Sequence, residues 1–276
     1  MRKGSIPLAL AISLISAVWI ATPAPASTPQ AGACLVGPTV SKSNYAKVLN
    51  ADLVKMSRSG LTTGQISQRL ARQGITTASR PTSGIVPFTT ANDISLPNPS
   101  ILYDSCSRIW SAYATWNFTS ISALAGDRNG PASPQNIGGN DGFGMAFSRN
   151  VTSVTSYSLD TWGLGSYYPV SYSRAVPVDA GTDGVAYDGQ DAFCSGSPRG
   201  PCTVSDYSFY HGSLIYSIGS IGCGTIQAFS KYGHDWSGTS LSGISVGLPL
   251  NIQISFSSSS YSWVRASQPS SPVTPC

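Results

Sequence analysis

The side chains best suited to chemistry are few. The chain has two histidines, His211 and His234, both in the C-terminal third of its 276 residues. Either could serve as a general base if a carboxylate oriented it, and Asp206 and Asp235 stand near them in sequence. As metal ligands they would need a third donor. The densest polar cluster offers one. Asp179, Asp183, Asp188 and Asp191 fall within 13 residues, interleaved with glycines that permit tight bends. Ca²⁺ takes about six to eight oxygens, so this segment is a candidate Ca²⁺ loop, although it lacks the EF-hand spacing and its closing Glu. Its Asp-Gly pairs equally suit hairpin turns.

A nucleophile is harder to find. No serine lies in Gly-x-Ser-x-Gly; Gly238-Thr-Ser240-Leu-Ser242 comes nearest and fails at its last position. No spacing singles out two aspartates for glycoside hydrolysis. No catalytic residue is assigned. The aromatic residues speak more clearly. Trp162-Gly-Leu-Gly-Ser-Tyr167-Tyr168, Tyr207-Ser-Phe-Tyr210-His211 and Tyr232-Gly-His234-Asp235-Trp236 each lie beside a glycine. Flat rings with a polar edge suit sugar stacking, lipid headgroups or protein recognition. Trp162, Tyr167, Tyr168, Tyr210, His211, Tyr232, His234 and Trp236 are therefore expected to converge on one binding surface. No cofactor other than Ca²⁺ is implied.

Local patterns say what must position these groups. Tyr45, Val48, Leu49, Leu53 and Met56 recur at helical spacing and stop before Gly60. Thr62 and Gln65 form a capping box for a second helix that carries Ile66, Leu70 and Ala71 and ends at Gly74. From Ile101 onward the period is two. Trp110, Ala112, Ala114, Trp116 and Phe118 share one face, and Leu250-Asn-Ile252-Gln-Ile254-Ser-Phe256 alternates strictly. Met145 and Phe147, Leu214, Tyr216 and Ile218, and Ile244 and Val246 mark further strands. Asn140-Asp141-Gly142, Asp183-Gly184, Asp188-Gly189 and Gly222-Cys223-Gly224 read as turns between them. The expected fold is mainly β: an antiparallel β-sandwich, jelly-roll-like, preceded by a short basic α-helical hairpin. The expected divisions are a signal peptide at 1–26, a basic helical segment at 27–80, a Pro/Ser-rich linker at 81–100, the sandwich at 101–267 and a tail at 268–276.

Charge separates these parts. All 12 acidic residues are aspartates. Residues 41–80 carry Lys42, Lys47, Lys55, Arg58, Arg69, Arg72 and Arg80 against Asp52 alone, whereas the acidic residues dominate beyond. The helical head is thus basic and the β body acidic. The head is expected to dock on the body or to be removed as a pro-segment.

The compartment follows from the start of the chain and its cysteines. Arg2 and Lys3 precede an apolar run from Ile6 to Ile20, and Ala24-Pro25-Ala26 offers a peptidase site before Ser27. This is the pattern of a secretory signal, which argues against nucleic acid as a partner despite the helix-turn-helix look of Gly60 to Ala71. No later apolar run is long enough to span a membrane. The six cysteines (Cys34, Cys106, Cys194, Cys202, Cys223, Cys276) all follow the cleavage site, so three disulfides are expected. Proximity favours Cys194–Cys202, and a bond at Cys276 would tie down the tail. Asn117-Phe-Thr119 and Asn150-Val-Thr152 are glycosylation sequons in a eukaryotic host.

Tyr207-Ser-Phe-Tyr-His211-Gly-Ser213 and Ser262-Trp263-Val-Arg265-Ala-Ser267, about 13 residues together, resemble segments of the lactococcin 972 bacteriocin family, small secreted antiparallel β proteins. The resemblance implies a secreted antibacterial role and carries no residue assignments. The expected function is non-catalytic binding to a cell envelope, an extracellular polymer or glycan, or a protein surface. A bacteriocin-like or membrane-active toxin and an Asp/His-dependent extracellular hydrolase are the alternatives.

Overall fold

The structure, a computed structural model, describes Cys34 and residues 40–79, 93–121, 124, 127, 133–165, 167–168, 176–197, 199 and 201–276, with the backbone of 172–174. The signal expected at 1–26 and residues 81–92 of the expected linker lie outside the described residues.

Apolar residues three and four apart line one face of a helix, and that face must be buried. Helix α1 (Tyr45–Arg58) buries Tyr45, Leu49, Leu53 and Met56 in this way. Gly60 follows it at φ 74°, the left-handed geometry that glycine takes without penalty. The capping box forms: the Gln65 N–H donates to Thr62 Oγ1 (3.3 Å) and the Thr62 N–H to Gln65 Oε1 (2.8 Å), opening α2 (Thr63–Arg72).

The strands build two antiparallel sheets. The first runs β1 (Ile75–Thr77), β3 (Ser100–Asp104), β4 (Ile109–Phe118), β11 (His211–Ser220), β6 (Ser153–Trp162) and β7 (Tyr172–Arg174), with β2 (Ile94–Ser95) also on β4. The second runs β10 (Asp206–Tyr207), β9 (Gly184–Cys194), β5 (Gln135–Phe147), β12 (Ala228–Asp235) and β15 (Ser262–Ala266), with β8 (Asp179–Gly181) on β9. Their inner faces form the main core. Ala112, Ala114, Trp116 and Phe118 of β4 and Leu214, Tyr216 and Ile218 of β11 meet Phe143, Met145 and Phe147 of β5, Tyr187 of β9 and Tyr232 of β12. Trp116 sits at its centre, 4.4 Å from the Phe143 ring and 4.9 Å from Tyr232, with its Nε1–H donating to Phe209 O (2.9 Å). Its indole lies across Gly212, opposite it in the β4–β11 register, where any Cβ would collide with the ring.

The other face of the first sheet is covered by the helices. Tyr45, Leu49, Leu53, Met56 and Leu70 pack on Leu102, Ile109 and Ile215. Burying each large aliphatic side chain contributes about 1.5–3 kcal/mol. The basic head therefore docks through apolar side chains, and Lys42, Lys47, Lys55, Arg58, Arg69 and Arg72 stay exposed on its outside. One buried polar residue fixes the register. Asn50 Nδ2 donates to Ser158 O (3.1 Å) and Ser213 O (3.2 Å), and Ser213 Oγ donates back to Asn50 Oδ1.

A ribbon of β13 (Leu241–Gly247) and β14 (Asn251–Phe256) lies on the outside of the second sheet. The strictest alternation in the sequence thus belongs to a cover strand rather than to the sandwich. The ribbon explains two turn signals that the structure overturns. Asn140-Asp141-Gly142 lies inside β5, and Asp188-Gly189 inside β9. A Cβ on Gly142 would stand 3.1 Å from Ile244 Cδ1, so glycine there admits the ribbon rather than reversing the chain. Asp183-Gly184 and Gly222-Cys223-Gly224 do lie at chain reversals.

Three disulfides close Cys34–Cys106, Cys194–Cys202 and Cys223–Cys276, the last tying down the tail. Among the described residues, no helix is long and apolar enough to cross a membrane.

Candidate functional site

The eight aromatic and histidine candidates divide between two places. Strand register decides the first. His211 pairs with Trp162 of β6 on one side and with Asn117 of β4 on the other, so the three side chains form a row on the helix-covered face. The hairpin stops short of this row. Between Leu53, Leu61 and Ile66 of the helices and Asn117, Trp162 and His211 of the sheet lies a groove of about 310 Å³. Trp162 and His211 stack there at 5.3 Å and 20°, and Tyr210 meets His211 edge-on at 4.8 Å. Asn117 Oδ1 is buried and has no hydrogen-bond partner; of the two sequon asparagines, Asn117 is half-buried and Asn150 is exposed.

His211 is not oriented by Asp206. That carboxylate is fully buried and turns its oxygens to the backbone N–H groups of Tyr207 (2.9 Å) and Tyr168 (3.2 Å). Burial pushes the imidazole down to about 4; Asp206 opposes this and Arg58 adds to it. The groove therefore presents a neutral ring above that pH. Because the folded-state value lies below the ordinary 6.5, this group's contribution to stability is complete above about pH 6.5. It is lost progressively as pH falls toward 4. His211→Gln is accordingly expected to lose less stability than the wild type between these two pH values in chemical unfolding, and equal losses would contradict the assignment.

Tyr167 and Tyr168 pair with each other beyond β6, edge-on at 4.7 Å, and Tyr167 is 36% exposed. Tyr232 and His234 go elsewhere. Both are fully buried, because β12 is flanked by β5 and β15 and its even-numbered residues face the first sheet. They belong to an interior polar cluster, with half-buried Trp236 stacked on His234 at 5.8 Å.

Three adjacent strands build this cluster: Asp191 from β9, Asp141 from β5 and His234 from β12. His234 Nδ1 lies 3.0 Å from Asp141 Oδ1 and 3.9 Å from Asp191 Oδ2. Its Nε2 lies 3.3 Å from Asp127 Oδ2, whose side chain is 16% exposed. The Tyr232 hydroxyl donates to Asp141 Oδ2 and that of Tyr207 to Asp191 Oδ2. The Asp235 N–H adds a bond to Asp141 Oδ1 (3.2 Å). Phe118 and Trp263 wall the imidazole at 5.8 and 5.3 Å. Burial alone would lower the His234 pKa, but the Asp141 charge and the bonds to Asp127 and Asp141 outweigh it and hold the ring well above its ordinary 6.5. Burial, then Asp141, raises Asp191 well above 3.8. Asp235, the orienter expected from sequence, instead accepts from the Gly139 N–H at 2.5 Å. Asp141 takes that place. Sequence reasoning missed it because its neighbours Asn140 and Gly142 resemble a turn; the signal was its position two residues before the inward-facing Phe143.

Among the described residues, the four aspartates of the Asp-rich segment do not come together as a metal-capable group. Asp179 Oδ2 accepts from the Val246 N–H (2.8 Å) and Asp188 Oδ2 from Asn140 Nδ2 (2.9 Å). Asp183 sits in the turn before β9, and its carbonyl accepts from the Phe147 N–H (2.8 Å). Along β9, Asp188 and Asp191 are three residues apart and so point to opposite faces. Of the four, Asp191 alone joins a metal-capable group, with Asp141 and His234, whose donor atoms lie within 4.8 Å of one another. Of the two segments resembling the lactococcin 972 family, one supplies Tyr207, Tyr210 and His211 and the other is β15 with Trp263. No protein-family model and no curated protein matches this chain.

Proposed function

We propose that this is an exported, non-catalytic binding protein that takes a neutral saccharide unit of an extracellular or cell-envelope polymer in the groove beside His211. The observation that carries the reading is the buried, unpartnered Asn117 Oδ1 beside the neutral His211 and the ring of Trp162. A buried acceptor without a donor is costly, and a small side-chain rotation of Asn117 toward the groove would let a sugar hydroxyl supply the missing donor. The apolar wall from the helices suits the C–H faces of such a ring. The three disulfides are compatible with export.

Chemistry on the ligand is disfavoured on two counts. Among the described residues, no carboxylate lines the groove, and glycoside hydrolysis normally uses a pair. His234 is fully buried and faces carboxylates through both ring nitrogens, so a substrate in the groove does not reach it as a base.

Retention of the full chain on insoluble cell-wall polysaccharide, chitin and cellulose tests the proposal. His211→Ala and Asn117→Ala are each expected to weaken binding to the retaining polymer by about tenfold, roughly 1.4 kcal/mol, with the fold unchanged by circular dichroism. No retention on any polymer, or undiminished retention by both variants, would overturn it. Release of soluble sugar by the wild type would point to the hydrolase instead.

A further inference from the structure

We infer that Asp141, Asp191 and His234 form a zinc-type metal site that joins the three central strands of the second sheet. It does not depend on the groove. The donors are two carboxylates and one imidazole, on β5, β9 and β12, with mutual separations that a single small cation can bridge. The mixed nitrogen and oxygen set suits Zn²⁺, bound by His nitrogen and Asp oxygen at about 2.0–2.2 Å; Ca²⁺ prefers oxygen alone.

Two independent observations point to a ligand. Asp191 is fully buried, yet its Oδ1 has no hydrogen-bond partner. Whether that oxygen is ionised or carries a proton, it is left unsatisfied in the core, at a cost that an unpaired buried group rarely sustains. A cation satisfies it directly. The second observation is the outward nitrogen of His234. Nε2 faces the Asp127 carboxylate at 3.3 Å, leaving Nδ1 turned toward Asp141 and Asp191. A ligating histidine characteristically gives its other N–H to a carboxylate, which fixes the tautomer and raises its basicity. The Tyr232 and Tyr207 hydroxyls hold one oxygen of each ligating carboxylate in the same way.

Charge balance agrees. With the metal bound, two ionised carboxylates and one neutral imidazole would surround a dication whose charge balances theirs. The cation would displace protons rather than add charge. Since the ligands are buried, the metal would enter during folding and act structurally. Asp141, Asp191 and His234 supply one donor atom each.

The full oxidised chain, refolded separately with Zn²⁺, with Ca²⁺ and with a chelator, then dialysed, provides the test by elemental analysis and thermal unfolding. Expected are about one zinc per chain, no retained calcium, and a melting temperature several degrees above that of the chelator-refolded protein. Asp191→Asn should abolish retention. Asp127→Asn, whose side chain reaches the surface, should weaken zinc about 10–100-fold in chelator competition. Wild-type protein that retains no zinc, retains calcium instead, or unfolds at the same temperature with and without metal overturns the proposal. So does undiminished zinc in folded Asp191→Asn.

Discussion

Asp141→Ala is expected to cost about 3–5 kcal/mol of folding stability. Its carboxylate accepts from the Tyr232 hydroxyl, from the Asp235 N–H and from His234, all in a fully buried setting. Alanine would take the acceptor from a buried hydroxyl, a buried amide and His234 Nδ1 between the two sheets. Against a typical total of about 5–15 kcal/mol, such a loss puts the chain near its folding threshold. Asp141→Asn keeps an acceptor for Tyr232 and should lose less. Urea unfolding of the oxidised protein measures both. A loss below about 1 kcal/mol for alanine would mean that the cluster is not held together as described.

Asn50→Ala is expected to release the helical hairpin while leaving the sandwich folded. Asn50 is the buried polar contact between α1 and the first sheet that bonds both β6 and β11, through Ser158 O and Ser213 O. Removing it leaves Ser213 Oγ without its acceptor and takes a donor from two carbonyls, at about 1–3 kcal/mol for an unsatisfied buried group. The consequence should be local. Leu53, Leu61 and Ile66 form the helical wall of the groove, so ligand binding should fall along with hairpin docking. Hydrogen exchange checks this: amides of α1 and α2 should exchange faster, while those of β5, β9 and β12 keep wild-type protection. Uniform acceleration throughout the protein would show that hairpin and sandwich unfold as one, contrary to expectation.

Both predictions concern residues whose importance is invisible in one dimension. Asn50 is a single polar residue on the apolar face of a helix, and only the serine hydroxyls and carbonyls opposite it make it an anchor. Asp141 stands between Asn140 and Gly142, a run that reads locally as a turn. It becomes part of a continuous strand because Gly142 lets Ile244 of the outer ribbon approach.

The sequence by itself determined whatever depends on near neighbours in the chain. Spacing of Tyr45, Leu49, Leu53 and Met56 gave α1, the Thr62–Gln65 reciprocity gave the start of α2, and alternation over Trp116 and Phe118 gave an inward-facing strand. An even cysteine count gave three disulfides, and short separation gave the Cys194–Cys202 pair. These are properties of backbone periodicity, capping and loop closure, each settled within about one turn, strand or loop. Tertiary structure alone decided which carboxylates meet which imidazole. Asp141, Asp191 and His234 come from strands distant in sequence, and their meeting depends on the β9–β5–β12 order and on which face each residue presents. The same step divided the eight ring residues. Trp162 and His211 share a groove because β6 and β11 are paired in register there, whereas Tyr232 and His234 are interior because β12 is central in its sheet. Register and strand order are long-range quantities, fixed only when the sheets pack.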